Sequence, residues 1–178
     1  MRILLFTLFL LSTITLQAQK LTVYGLTTDH KINPIGIDNK TPVLGWKIRG
    51  EGREIMQAAY QIRVASASDF AKKNILWETG KINSDQSVNH IYGGPAPASG
   101  KRYYWQVKVW DDKKRESPWS PGAHWEMGLL QVSDWKASWI EPVQDTSQRI
   151  PAPMLRKVFA VNKPVVSARA YVTSNGSY

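Results

Sequence analysis

The chain reads as a series of short alternating segments. In RYYWQVKVWD, from Arg102 to Asp111, Tyr103, Trp105, Val107 and Val109 fall on one side of an extended strand. Tyr104, Gln106, Lys108 and Trp110 fall on the other. The first set is wholly apolar and the second is mixed, so the first is predicted to face a core. In MQAAYQIRVAS, from Met56, the same period gives Ala58, Tyr60, Ile62 and Val64 one face and Gln57, Gln61 and Arg63 the other. Further strands are predicted in LTVYGLTT from Leu21, in VLGWKI from Val43, in ILWETGKI with a break at Gly80, and in SVNHIYGG. SPWSPGAHWEM is read as the last strand, with Trp119 and Trp125 available for packing. Turn formers separate these runs: Asn33-Pro34, Asp38-Asn39, Thr41-Pro42, Gly50 and Gly52, the connection GGPAPASG, and the charged turn Asp111-Asp112-Lys113. SASDFAKK predicts one helical turn with Ser66 or Ser68 as its cap. About seven short strands with regular turn signals and no long amphipathic helix predict an all-β fold, a β-sandwich of about 100 residues placed over 19–128.

The N-terminus has a different pattern. In MRILLFTLFLLSTITLQAQK one arginine precedes an apolar run from Ile3 to Leu11, and a more polar stretch ends at Ala18. This is the layout of a secretory signal peptide over residues 1–18, with cleavage between Ala18 and Gln19. Leu16 is larger than the residue usually found three positions before the cut. The run falls short of the roughly 20 apolar residues that span a bilayer, so no membrane anchor is expected after cleavage. There is no cysteine. That excludes disulfides, thiolate nucleophiles, cysteine zinc sites and a lipidated cysteine anchor, and fits a bacterial periplasmic or secreted protein. The three histidines, His30, His90 and His124, lie far apart without metal-ligand spacing, so neither a metal nor another cofactor is expected.

Charge changes the picture little. The formal net charge is +9, yet the basic residues are scattered, and the tightest run, Lys113-Lys114-Arg115, follows two aspartates. A solvated turn accounts for it better than a nucleic-acid surface, and no nucleic-acid partner is expected. Eight tryptophans serve a small core or a sugar-stacking surface equally well.

Beyond this point the residues resemble a known family. KRYYWQVKVWDDKKRESPWS is followed by Gly128-Leu129-Leu130, then Asp134-Trp135, Ala137 and Trp139-Ile140. Together they resemble the N-terminal region of bacterial α-L-rhamnosidases, in which a fibronectin-type-III-like domain leads through such a linker to a second β domain. PMLRKVFAVNKPVVSARAYVTSNGSY, from Pro153, is similar to the opening of that second domain. The resemblance implies a fibronectin-type-III/immunoglobulin-like β-sandwich over 19–128, a linker over 129–150, and an incomplete, jelly-roll-like second β domain over 151–178. It also implies structural roles for Tyr103, Trp105 and Trp119, with Tyr103 as the tyrosine corner. The segment after Trp139 is expected to be poorly ordered when this chain is alone, because an isolated hairpin is marginal in water.

An inverting glycosidase needs two carboxyls about 6.5–9.5 Å apart with a water between them. The resemblance places those on a barrel that this sequence does not contain. Asp111, Asp112, Glu116 and Asp134 match no part of that motif and read as turn, cap or linker residues, so no catalytic residue is assigned. The expectation is a non-catalytic accessory segment of a secreted α-L-rhamnosidase, with the enzyme's later domains as partner and rhamnosylated glycans as a further one. The alternative is a freestanding carbohydrate-binding, adhesion or spacer module. There, Tyr104 and Trp110, beside Lys108, would form an outward stacking face instead of a contact covered by a neighbouring domain.

Overall fold

The computed structural model describes residues 21–50, 54–141 and 154–174, so the expected signal peptide and its expected Ala18–Gln19 cleavage point lie outside the described residues. The chain divides after Lys136 into two compact units. Among its described residues the first unit carries eight strands: β1 (Thr22–Thr28), β2 (Val43–Arg49), β3 (Gln57–Ala65), β4 (Ile75–Glu78), β5 (Ile82–Asn83), β6 (His90–Ile91), β7 (Arg102–Asp111) and β8 (Ala123–Glu126). They form a three-stranded sheet in the order β1-β2-β6 and a five-stranded sheet in the order β4-β3-β7-β8, with β5 also on β3. All strand pairings are antiparallel. This is an immunoglobulin-like all-β sandwich. Among the described residues the only helical elements are two three-residue 3-10 turns, Lys72–Asn74 and Val132–Asp134. The first overlaps the turn expected in SASDFAKK, but no serine caps it: Ala71 holds the N-cap position without a side-chain cap bond, and Asp69 Oδ1 accepts from Ala71 N–H and Asn74 Nδ2.

The alternation in β7 operates as read. Tyr103, Trp105, Val107 and Val109 are buried between the sheets with Leu44, Trp46, Ile62, Val64 and Trp125. Full burial of each valine is worth roughly 1.5–3 kcal/mol. Trp125 joins the layers: it stacks on Tyr103 (5.3 Å, 16°) in its own sheet and meets Tyr92 edge-on at 5.5 Å from the opposite side. Such aromatic pairs add about 0.5–1.5 kcal/mol beyond the area they bury. The Tyr103 hydroxyl accepts the N–H of Ala98 at 2.8 Å, the bond of a tyrosine corner.

The reading of β3 needs a correction at its start. The register against β7 slips between Gln57 and Ala59. This bulge changes the phase, so Ala58 is exposed while Gln57 and Ala59 are buried. Inside, Gln57 accepts from Trp46 Nε1 at 2.8 Å and donates to the carbonyls of Ser84 (3.1 Å) and Gln86 (2.6 Å). His90 Nε2 lies 3.0 Å from the same Gln86 oxygen, and its ring is stacked on Trp46 at 4.5 Å. Burial pushes the His90 pKa down against the opposing pull of that carbonyl.

The last predicted strand is mostly not a strand. Only Ala123–Glu126 pairs regularly, because Pro118 and Pro121 have no N–H to give. Two serines carry the ladder instead. Ser117 and Ser120 donate their N–H groups to the carbonyls of Val109 and Val107, and their hydroxyls accept the Val109 and Val107 N–H groups. Each hydroxyl then donates to the carbonyl of the proline that follows it. Along the other edge of β8, His124 N–H donates to Asn33 Oδ1 and Glu126 N–H to the Pro34 carbonyl, while Ile37 N–H returns to the Glu126 carbonyl.

The second unit is described over 137–141 and 154–174. All of these residues are exposed and none is in a strand, including those read as the opening of a second β domain.

Gln57→Ala should destabilise the first unit by about 1–3 kcal/mol, because it strips the partner from a buried indole N–H and two carbonyls. Guanidinium unfolding checks this: the midpoint should fall with the slope unchanged. Ala58→Lys, one residue away on the exposed side of the bulge, should shift the midpoint by less than about 0.5 kcal/mol equivalent.

Candidate functional site

The outer face of the five-stranded sheet holds the residues singled out for ligand binding. The strand period directs Tyr104, Gln106, Lys108 and Trp110 outward from β7, and Arg63 outward from β3 beside Gln106. Their environment differs from an open aromatic platform. Trp110 is only 9% exposed. The ammonium groups of Lys81 and Lys108 lie 4.2 and 4.9 Å from its ring centroid. Lys108 also sits 5.2 Å from the Trp119 ring, and the Arg63 guanidinium 4.1 Å from it. Arg63 in turn lies 5.0 Å from the ring of Phe70. Phe70 holds φ +49°, a left-handed backbone that bulky residues rarely adopt, and its ring lies against Gly122. The result is a ladder of alternating rings and cations: Phe70, Arg63, Trp119, Lys108, Trp110, Lys81.

Polar side chains lock the ladder. Gln106 Oε1 accepts from Arg63 at 2.7 and 3.1 Å, and its Nε2 donates to the Ser120 carbonyl at 2.8 Å. Glu116 accepts from Lys108 Nζ at 2.6 Å on one oxygen and from Trp110 Nε1 at 3.0 Å on the other. The Lys108 hydrogen bond, more than any other influence, holds the Glu116 carboxyl below its usual range. Trp119 therefore belongs to this outer ladder and not to the core; the last-strand tryptophan that enters the core is Trp125, fully buried. Tyr104 is half-buried beside the ring of His124 at 6.1 Å, next to the Arg102–Glu126 ion pair at 2.9 Å.

The tempting carboxylates are engaged in the same local way. Asp111 is buried, so Asp111 is not part of an exposed charged turn. It accepts from the backbone of Lys113 (3.0 Å) and Arg115 (2.8 Å) and pairs with the Arg115 guanidinium at 2.6 Å. Burial pushes its pKa up, but the Arg115 and Lys113 hydrogen bonds and the Arg115 charge outweigh this and hold it below the usual value. Asp134 accepts from the Ser99 hydroxyl. Among the described residues, no three His, Asp or Glu side chains come together as metal ligands would. A shallow hollow of about 220 Å³, lined mostly by apolar atoms, lies between Tyr24, Leu26, Ile32, Asn33, Pro121 and Ala123. It contains no carboxylate or imidazole.

The sequence reading missed Lys81 and Phe70 as members of this face; it placed Gln106 and Arg63 on the outward sides of their strands but gave neither a part in it. The repeated Ser-Pro pair around Trp119 was the one local signal that the segment lies over the face without being an ordinary strand.

Residues 23–131 match the family described as Rha78A-like, N-terminal immunoglobulin domain. An α-L-rhamnosidase of Formosa agariphila is 39% identical over 155 residues, which cover 82% of this chain and 17% of that protein. The crystal structure of Streptomyces avermitilis α-L-rhamnosidase complexed with L-rhamnose aligns with TM-score 0.65 and 37% identity, over 68% of this chain and 12% of that one. The α-L-rhamnosidase structure from Dictyoglumus thermophilum aligns with TM-score 0.64 and 36% identity, over 69% and 14%. This chain thus spans less than a fifth of the relatives it matches.

Two outcomes test this site. A double-mutant cycle of Arg63→Ala and Trp119→Ala should give a coupling of about 0.5–1 kcal/mol in urea unfolding, as expected for a cation over an indole; strictly additive losses would mean that the stacking is incidental. Asp111→Asn should be less stable than the wild type at pH 7, with a gap that narrows in acid. The folded pKa lies below the unfolded value of about 3.9, so the stabilisation is complete above that value and fades as pH falls through the folded one. Unfolding at pH 7 and pH 3 checks it, and a gap unchanged between them would mean that the charge of Asp111 is not used.

Proposed function

The chain belongs to the family of Rha78A-like N-terminal immunoglobulin domains, and from that premise we propose that it is the non-catalytic front segment of an exported α-L-rhamnosidase. The observation that carries the reading is the pairing of extents: 82% of this chain aligns with 17% of an α-L-rhamnosidase. The geometry supports an accessory role. The carboxylates Asp111, Glu116 and Asp134 are each bound within their own turn or ladder, with no pair held open toward a substrate. Its partner is the remainder of such an enzyme, whose work is the removal of terminal α-L-rhamnose from glycans. The N-terminal pattern over 1–18 supports export with cleavage after Ala18. The freestanding glycan-stacking alternative draws no support from Trp110, because the lysines of this chain already lie over its ring.

The purified chain, incubated with an aryl α-L-rhamnoside, should release no rhamnose above the rate in buffer. The same segment extended through the coding sequence that follows it in its source should release rhamnose. Turnover by the short chain would overturn the accessory role, and an extended protein inactive on rhamnosides but active on another aryl glycoside would overturn the substrate.

A further inference from the structure

The loop 98–101 is tied to the core on one side and to the departing chain on the other. On the core side, Ala98 N–H is held by the hydroxyl of Tyr103, whose ring is stacked on Trp125. One residue on, Ser99 serves the other side. Its hydroxyl donates to Asp134 Oδ2, and its oxygen accepts Leu130 N–H at 3.0 Å. Asp134 Oδ2 also accepts Gln131 N–H at 3.0 Å, closing the 3-10 turn Val132–Asp134 from its far end. Two backbone bonds flank this pair: Gly100 N–H to the Gly128 carbonyl at 3.0 Å, and Met127 N–H to the Lys101 carbonyl at 2.9 Å. The Leu130 side chain packs against the core beside them. The Ser99 hydrogen bond, with Gln131 N–H adding to it and slight desolvation opposing, holds the Asp134 carboxyl below its ordinary range, so it is charged at neutral pH.

We propose that Ser99 and Asp134 form a latch that fixes the path of residues 128–135 as the chain leaves the sandwich, with Asp134 as its positioning residue. The physical reason is economy of partners. One short side chain on a loop anchored to the core satisfies both a linker amide and a linker carboxylate, and hydrogen bonds to an ionised acceptor are about twice as strong as neutral ones. Leu130 N–H, Gln131 N–H and the Asp134 carboxylate lie within five residues; Ser99 holds the first and the last, and the carboxylate holds Gln131 N–H, which leaves the segment a single path. The latch lies wholly inside the first unit, which ends at Lys136, two residues after Asp134. Its use in setting the starting direction of later domains rests on the function proposed above. The latch itself does not, and it is tested on this chain.

The test is amide hydrogen exchange on the full chain and its variants, with trypsin cleavage after Lys136 as a second readout. Asp134→Ala and Ser99→Ala should each speed exchange of the Leu130 and Gln131 amides by about tenfold or more, a local opening, and speed the cut after Lys136. The Ile62 and Val107 amides in the sheets should keep their wild-type rates. Ser99→Thr, which retains the hydroxyl, should restore slow exchange, and Asp134→Asn, an acceptor without charge, should fall between. Unchanged exchange at Leu130 and Gln131 in the alanine variants would overturn the latch. So would acceleration of the sheet amides in step with them, because the pair would then act on the folding of the sandwich and not on the path of the linker. Loss of rhamnosidase activity in a longer protein would bear on the proposed function alone.

Discussion

Strand β7 is engaged on both edges and both faces, and the rest of the molecule refers to it. One edge is paired with β3 over nearly its whole length. The other is divided between β8 and the hydroxyls of Ser117 and Ser120. One face supplies the middle of the core and the other carries the ring-and-cation ladder. A strand loaded in this way has little freedom to slide, since a slip of one residue would exchange Val107 for Lys108 at the core and expose Trp105. Register in β7 therefore fixes both the dry interior and the charged exterior.

That double loading explains what could be read from the sequence. The inward set from Tyr103 to Val109 was legible because alternation alone decides it, and the tyrosine-corner role of Tyr103 came with the family resemblance. The orientation of Gln57 was not legible. It depends on a bulge set by pairing with a strand some fifty positions away, and nothing in MQAAYQ marks the slip. The roles of Trp119 and Trp125 followed the same division. Both stand in one apolar-looking segment, but the prolines beside Trp119 remove ladder donors, so the segment turns Trp119 onto the outer face. Trp125, four residues beyond Pro121, lies where regular pairing resumes.

The outer face was the least legible part. Alternation placed Tyr104, Lys108 and Trp110 there together, as the structure does. It could not say that Lys81 and Arg63, brought in by β5 and β3, would meet the same rings. Outward direction and exposure are different properties, and long cationic side chains convert one into the other by lying flat over aromatic surface while keeping their charged ends in water.

The perimeter of the larger sheet has a consequence for the folded protein crowded among its copies. An uncovered sheet edge is a row of donors and acceptors that a second chain can continue, which is the usual first step toward aggregation. Here the edge beyond β7 is already spent: serine hydroxyls and prolines occupy one half, and Asn33, Pro34 and Ile37 occupy the other. A neighbouring molecule arriving at this edge finds no free ladder to extend. A domain rich in strands and tryptophan can thus be made at high concentration with one of its stickiest boundaries closed by its own loops.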